Sequence, residues 1–383
     1  MRAVRVGWIL QERENGLTAR TGGRTTGRLT IGAGVGFALM LAAASASAAP
    51  PPPVQTIQLS IGGGTVDSAA YHWSSALAEV LSRPPGLPEC DPTGPCGVPG
   101  VIAGAQTYDT SQALLSALTD NRIATAVVPS LPLFRLRCAV PKGQSAPAVT
   151  ALKVLYRQPL YLVVRGGTGA IAKPADWAKK TVAIGPAGSD SELLTLALLD
   201  AYKIPRAKVK LVRSPAATQV EALSNGTAHV GVFLGHVFDR QIGDLIAKGF
   251  TLMSLPDTPE RAKLVQSLPV FEASAIPPGT FPGLPAISNL AQPVVWVAGP
   301  NIDAKLAEKL VTATSEPHNR NRIAGLVGPV TAVPDAVAFS HLPAPLSEGA
   351  RKVALAENQP IDVVNCPSET GQLAGAKSAD KQP

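Results

Sequence analysis

The sequence predicts an α/β fold of two lobes with a cleft between them, and three observations carry that prediction. Apolar strand-like runs alternate with amphipathic helical stretches along most of the chain, which is the pattern of a largely parallel sheet. The same join of strand, glycine or hydroxyl-rich turn and helix recurs several times. Two long apolar strands, near 152–164 and 293–298, are placed where the chain would cross between lobes and return.

Length and composition agree with this. The chain has 383 residues, 45% hydrophobic and 16% charged, enough apolar material for a full core and more than one lobe. Its formal charge of +7 is uneven: six of the 34 Lys+Arg and two of the 27 Asp+Glu fall in the first 30 residues, leaving 28 against 25, a net +3. No basic run or aromatic stacking cluster accompanies that small excess, so nucleic acid is not an expected partner.

The N-terminus accounts for the asymmetry. An Arg-bearing region ending at Arg28 precedes an apolar stretch centred on Phe37–Ala44 and then Ala46-Ser47-Ala48, the pattern of a secretory signal over residues 1–48 with an A-x-A cleavage site. Export to the periplasm follows, with membrane anchoring if the segment is retained. Four cysteines fit an oxidising compartment and favour two disulfides. Connectivity does not follow from sequence; the short Pro/Gly-rich loop between Cys90 and Cys96 favours that local pair, and Cys138 with Cys366 is the partner pair expected beside it.

In chain order, Ile57–Ile61 alternates as a strand and meets Gly62-Gly63-Gly64-Thr65, after which Ala70, Trp73, Leu77 and Val80 mark one helix face, with Tyr71 in its first turn. Val101–Ala105 is a strand leading through Tyr108 and Asp109 to a helix capped by Asp109 or Thr110. Ile123–Val128 is a buried strand ending at Pro129 and Ser130. Leu152–Val164 is the most strand-like run in the chain. Thr181–Ile184 runs into Gly185-Pro186-Ala187-Gly188-Ser189-Asp190, and an apolar helix begins at about Glu192. The glycines permit unusual dihedrals, Ser189 or Asp190 caps free N–H groups, and the helix dipole makes this turn a seat for an anion. It is not a nucleotide-phosphate loop of the Walker type, because no Lys-Ser/Thr pair follows the second glycine. Val209–Val212, a helix around Ala217–Leu223, and the strand His229–Leu234 closing on Gly235-His236 complete the second lobe. An extended Gly/Pro connection occupies 276–285, and Asp303 caps a helix carrying Leu306 and Leu310. The polar residues 371–383 read as a disordered tail.

Three stretches together are specific: CGVPGVIAGAQTYDTSQALLSAL (Cys96–Leu118), YRQPLYLVVRGGTGAIAKPADWAKKTVAIGPAGSDSE (Tyr156–Glu192) and IPPGTFPGLPAISNLAQPVVWVAG (Ile276–Gly299). In their order and spacing the chain resembles a TAXI-family solute-binding protein of the tripartite, ATP-independent periplasmic (TRAP) transporters. The resemblance implies a two-lobed periplasmic-binding-protein type II fold with a ligand cleft between the lobes. Lobe 1 would be 54–168 plus 290–370 and lobe 2 would be 169–289. It also implies a monomer that passes a small carboxylate or amino acid to the membrane subunits of a TRAP permease, with no enzymatic activity, cofactor or metal. The family's binding loops map onto Gly64, Thr65 and Tyr71; Thr110, Ser111 and Gln112; Ser130; Gly188, Ser189 and Glu192; and Phe233 and Gly235. His236 joins them as a departure from a more usual small residue, and Pro129-Ser130 stands where Gln and Asp are common.

The candidate loops contain no Lys or Arg but offer Asp109, Asp190 and Glu192. A carboxylate solute is therefore expected on backbone N–H groups and hydroxyls, with Arg165 the nearest cation in sequence to a crossing. No G-x-S-x-G elbow or H-E-x-x-H motif is present. The rival readings are a ligand-sensing partner of a membrane receptor and a secreted serine hydrolase using Ser189 or Ser191 with His236 as base.

Overall fold

The computed structural model describes residues 56–141, 143–167, 171–236, 239–328 and 332–367; the expected signal segment, the Pro50–Pro53 linker and the tail lie outside them. In chain order the elements are β1 (Ile57–Gly62), α1 (Ala69–Leu81), β2 (Ser82–Arg83), β3 (Val98–Pro99), β4 (Val101–Gln106), α2 (Ser111–Thr119), β5 (Thr125–Pro129), α3 (Ser130–Cys138), β6 (Thr150–Arg165), β7 (Thr181–Ile184) and α4 (Asp190–Ala201). They continue with β8 (Lys210–Arg213), α5 (Ala216–Ser224), β9 (Val230–Leu234), α6 (Arg240–Ala247), β10 (Phe250–Leu252), α7 (Pro259–Ser267), β11 (Glu272–Ile276), β12 (Ile287–Ala298), α8 (Ala304–Ser315), α9 (Pro317–Val327) and α10 (Glu348–Ala356).

Ten strands are linked in the order β4-β1-β5-β12-β6-β9-β7-β8, with β10 added to β6 and β11 to β12. The fold is α/β, as expected, but the sheet is mixed rather than largely parallel. β1 lies parallel to β4 and β5, and β7 parallel to β8 and β9, whereas β12 runs antiparallel to both β5 and β6, and β6 antiparallel to β9. The alternation of strand and helix fixes parallel pairing only for strands joined by a helical crossover. β6 and β12 have no such joint to their neighbours and pair the other way.

β6 is the strand both halves share. Its residues 150–159 pair with β12, and its residues 160–164 pair with β9. It is buried along nearly all of its sixteen residues, so it reads as a continuous apolar run instead of an alternating one. Prolines mark the changeover: Pro159 stands opposite Ala291, Pro293 opposite Arg157 and Pro129 opposite Val294. A proline donates no ladder hydrogen bond. All three lie where the chain passes from one half-sheet to the other; the β6–β12 register continues past them and shifts only between Val294 and Val295 and between Trp296 and Val297. Helices cover both faces of each half. α1, α8, α9 and α10 pack on one face of the first half, and α2 and part of α3 on its other. α4 and α7 pack on one face of the second half, and α5, α6 and Phe281 on its other.

α3 is an element the sequence reading lacked, since Pro129 and Ser130 were placed as the end of a strand. Pro132 lies in the first turn of this helix, where its missing N–H needs no intrahelical acceptor. The β11–β12 hairpin likewise went unread, and β12 begins six residues before the expected Pro293.

Both expected disulfides are present, Cys90–Cys96 and Cys138–Cys366, with Cα separations of 5.6 and 5.4 Å. The second joins residues 228 apart and ties the segment after α10 to the end of α3. Loop closure of that length gives about 5 kcal/mol as the upper figure of the chain-entropy model. Replacing Cys138 and Cys366 by Ser is expected to lower the unfolding free energy by about 2–5 kcal/mol in urea titration, with the Cys90–Cys96 double variant losing less.

Candidate functional site

Where the two half-sheets meet, strand ends and helix starts surround a cavity of about 830 Å³. The first half contributes Asp109–Gln112 at the start of α2, Pro132, Arg135 and Leu136 of α3, and Gln158 of β6. The second contributes the turn Gly185–Ser191, Ala216 and Gln219 of α5, and Val232–Leu234 of β9. Three helices, α2, α4 and α5, begin at its wall, so positive dipole ends face it.

The turn before α4 is built by its own side chains. Gly188 has φ +79, a conformation costly for residues with a Cβ. Its N–H donates to Glu192 Oε2 at 2.6 Å, and Glu192 also pairs with Arg213. Ser189 caps α4, accepting from the Glu192 N–H at 3.3 Å, and its Oγ lies 3.3 Å from Ser191 Oγ. Ser191 Oγ accepts from the Gly185 N–H at 3.1 Å. Part of the anion seat is thus already filled by the carboxylate of Glu192.

Of the residues singled out in the sequence, Thr110, Ser111, Gln112, Gly188, Ser189 and Phe233 line this cavity together. Thr110 caps α2 through its Oγ1, which accepts from the Ala113 N–H at 3.1 Å. The others are placed differently. Ser130 is wholly buried and its hydroxyl donates to the Pro293 carbonyl at 2.7 Å. Glu192 is turned into the glycine turn and toward Arg213. Gly64, Thr65 and Tyr71 gather at the start of α1, where Ser68 Oγ donates to the Thr65 carbonyl and accepts from the Tyr71 N–H; they do not line the cavity. Gly235 and His236 also fall outside its lining. Tyr161 OH donates to the His236 carbonyl at 2.6 Å. Burial holds the His236 imidazole below its usual value, with Asp239 opposing and His72 adding to the shift. Among the described residues no hydrogen bond joins Ser189 or Ser191 to His236.

The expected cation is corrected by the structure. Arg165 stacks over the Phe250 ring, 4.7 Å from its centroid, and is not part of the lining. The arginine on the cavity wall is Arg135, which sequence reasoning missed because α3 itself was missed. Gln158 and Gln219 were missed as well; neither carries a motif, and only the fold brings them to the wall.

Behind the wall lies a buried polar network. Gln292, fully buried on β12, accepts from the Leu131 N–H at 2.9 Å and donates to Gln158 Oε1 at 2.9 Å and to Asp190 Oδ2 at 3.2 Å. Burial pushes the Asp190 carboxyl up to about 6, while the Gln292 hydrogen bond and the charge of Arg135 pull it down.

A family model described as NMT1-like matches residues 100–354, and the chain belongs to that NMT1-like family. No curated protein matches it in sequence. Among solved structures it is similar to XAC2383 from Xanthomonas citri bound to ATP, at 12% identity and TM-score 0.48 over 72% of this chain and 90% of that one. It is also similar to the periplasmic aliphatic sulphonate binding protein SsuA from Escherichia coli, at 13% identity and TM-score 0.41 over 79% of this chain and 84% of that one. A third is a putative L-cystine ABC transporter protein from Listeria monocytogenes, at 14% identity and TM-score 0.43 over 73% and 99%.

Asp190 gives a pH test of the wall. Its folded value of about 6 exceeds the unfolded 3.8, so the folded state binds the proton more tightly and stability falls as pH rises through about 4 to 6. Asp190→Asn keeps an acceptor for Gln292 and removes this loss. Urea unfolding is expected to show the variant more stable than the parent by up to about 2–3 kcal/mol at pH 7.5, the difference shrinking toward pH 4. A parent protein that gains stability over that range relative to the variant contradicts the assignment.

Proposed function

We propose that this protein is an extracytoplasmic solute-binding protein that captures a small organic solute in the cavity at 109–112, 185–191 and 232–234 and delivers it to a membrane permease. One observation carries the reading: a cleft of about 830 Å³, in the range of small-molecule sites, is walled from both halves by helix starts and strand ends. Ligands of open α/β sheets bind beyond the carboxyl ends of strands, and β5, β7 and β9 all end at this wall. No helix among the described residues is long and apolar enough to cross a membrane. The N-terminal signal pattern and the two disulfides support export to the periplasm.

The permease is of the TRAP type on the strength of the resemblance carried by 96–118, 156–192 and 276–299. Lobe 1 is 54–168 with 290–370 and lobe 2 is 169–289, joined through β6, whose residues 160–164 pair with β9 of the second lobe, and the lobes close as a monomer by bending near β6 and β12. Sensing through a membrane receptor uses the same site, and no feature of the structure favours it over transport.

A ligand-stripped preparation screened by thermal shift against amino acids, carboxylates and sulfonates is expected to yield a solute that raises Tm, since binding at 100 times Kd adds about 2.7 kcal/mol. Small-angle scattering with that solute at saturation should show a monomer with a smaller radius of gyration. Superposable curves argue against closure, and a screen without a hit argues against the binding reading. Reconstituted uptake that proceeds without ATP hydrolysis supports the TRAP assignment, and uptake that requires ATP overturns it.

A further inference from the structure

The positive excess of the chain is gathered at one end of the second half. Lys179, Lys180, Lys203, Arg206, Lys208 and Lys210 form no basic run in the sequence, yet the fold brings them together. β7 and β8 lie parallel with Thr181 beside Lys210. Just before them the Lys179 N–H donates to the Lys208 carbonyl at 2.6 Å, and the Lys210 N–H to the Lys180 carbonyl at 3.0 Å. Lys203 follows the end of α4 and leads directly to Arg206. Lys180 is half-buried and the other five are exposed. Among the described residues the five lysines have no ion-pair partner, and Arg206 pairs with Asp200 at 2.7 Å. Of the other acids in 173–210, Asp190 and Glu192 stand at the cavity end of the strands, and Asp176 accepts from the N–H groups of Ala172 and Lys173. Without the six cations, residues 31–383 hold 22 Lys+Arg against 25 Asp+Glu, so the rest of the chain is net negative.

Two of these lysines also stand where the backbone favours other residues. Lys179 and Lys203 have φ +65 and +54, left-handed positions at which glycine or asparagine is cheaper, so the turns alone do not account for them. The composition indicates what the patch meets. Protein interfaces are depleted in lysine and anchored by aromatic or large apolar groups. Here five of the six cations are lysine, the residues exposed between them include only Pro205 and Ala207, and the exposed large hydrophobics of the chain, Val66, Leu87, Leu355 and Ile361, lie elsewhere in its sequence. Flexible, hydrated point charges suit a fluid layer of phosphate headgroups better than a fixed protein face.

We propose that this patch docks the protein on an anionic phospholipid surface and leaves the cavity clear of the headgroups. The proposal rests on export and holds whatever the solute is. Each lysine adds about fivefold to partitioning onto an anionic bilayer, an attraction that fades within a Debye length of about 8–10 Å. The patch lies at the N-terminal ends of β7 and β8, whereas β7 runs at its C-terminal end into the cavity turn 185–191. Four strand residues separate the two by roughly 13 Å, so a headgroup layer held by the lysines does not reach the wall. The exported protein is thereby kept at the membrane without its solute site being covered.

Cosedimentation of protein purified from the periplasm tests this, using vesicles of phosphatidylglycerol with phosphatidylethanolamine and vesicles of phosphatidylcholine alone. Binding is expected to the anionic vesicles only and to be released by about 0.5 M salt. A triple variant, Lys179→Asn with Lys208→Gln and Lys210→Gln, is expected to bind about a hundredfold more weakly. A second triple variant, Lys248→Gln with Lys305→Gln and Lys309→Gln, removes the same net charge from exposed lysines elsewhere and is expected to stay within a few-fold of the parent. Calorimetry with the solute found by thermal shift should give the same affinity for the parent and the patch variant, so failure of the docking and failure of the solute reading are read separately. Equal binding to both kinds of vesicle, an unaffected patch variant, or equal losses in the two triple variants overturns the proposal. So does a parent that ignores both kinds of vesicle and binds only when the permease is present in them, since the partner is then a protein. If the patch variant fails to fold, the single variant Lys208→Gln and the parent's dependence on lipid charge and salt decide.

Discussion

A single buried amide, that of Gln292, holds together the parts on which the rest of the molecule depends. It sits on β12 directly across from Gln158 of β6, at the level where the sheet changes partners, and its two ends reach into both halves. One end receives the N–H of Leu131 at the start of α3; the other donates to Gln158 and to Asp190 at the start of α4. Leu131 is fully buried and Gln158 and Asp190 are half-buried, and a polar group withdrawn from water is costly unpaired. The prolines at 129, 159 and 293 donate no ladder hydrogen bond at this level. The side chain therefore adds to the backbone pairing at this level and ties the starts of α3 and α4 to the sheet.

The turn before α4 illustrates how a local motif is divided between folding and function. Its glycine, serine cap and helix dipole are those of an anion site. The chain itself occupies part of that site through Glu192, which is held in turn by Arg213. From this turn Ser189 and Asp190 line the cavity at the start of α4. Across the cavity, the arginine among its lining residues is Arg135 of α3, on the other half.

Elsewhere the charged groups serve the frame. Lys153 of β6 is nearly buried, 3.3 Å from Ser315 Oγ and 3.7 Å from Asp335, and burial pushes its amine down to about 8. Asp335 pairs with Arg320 as well, so one carboxylate joins β6 to α9 beneath the first half of the sheet. Asn319 performs a similar task for the Cys90–Cys96 loop, exchanging hydrogen bonds of 2.8 Å with both the N–H and the carbonyl of Cys96.

Much of the fold was legible in the sequence, because its signals are local. The alternation of apolar runs and amphipathic stretches, the cap at Asp303 and the glycine turn at 185–188 depend on residues a few positions apart and stand where the spacing put them, and of the cap pairs Ser189 or Asp190 and Asp109 or Thr110 the structure takes Ser189 and Thr110. Strand direction, α3 and the β11–β12 hairpin were not legible, because pairing partners lie far apart in sequence and Pro132 disguised a helix start as a break. The site divides in the same way. Ser189, Gly188 and the start of α2 could be named in advance since they belong to turn motifs. Arg135, Gln158, Gln219 and the role of Gln292 could not, since a lone Arg or Gln carries no spacing signal and acquires its meaning from what surrounds it. The sequence by itself determined where the glycine and hydroxyl turns would fall; only the tertiary structure decided that those at 109–112 and 185–191, and not those at 64–71 and 235–236, would line the cavity, and which charges and amides stand opposite them, because desolvation and pairing are properties of a place and not of a residue.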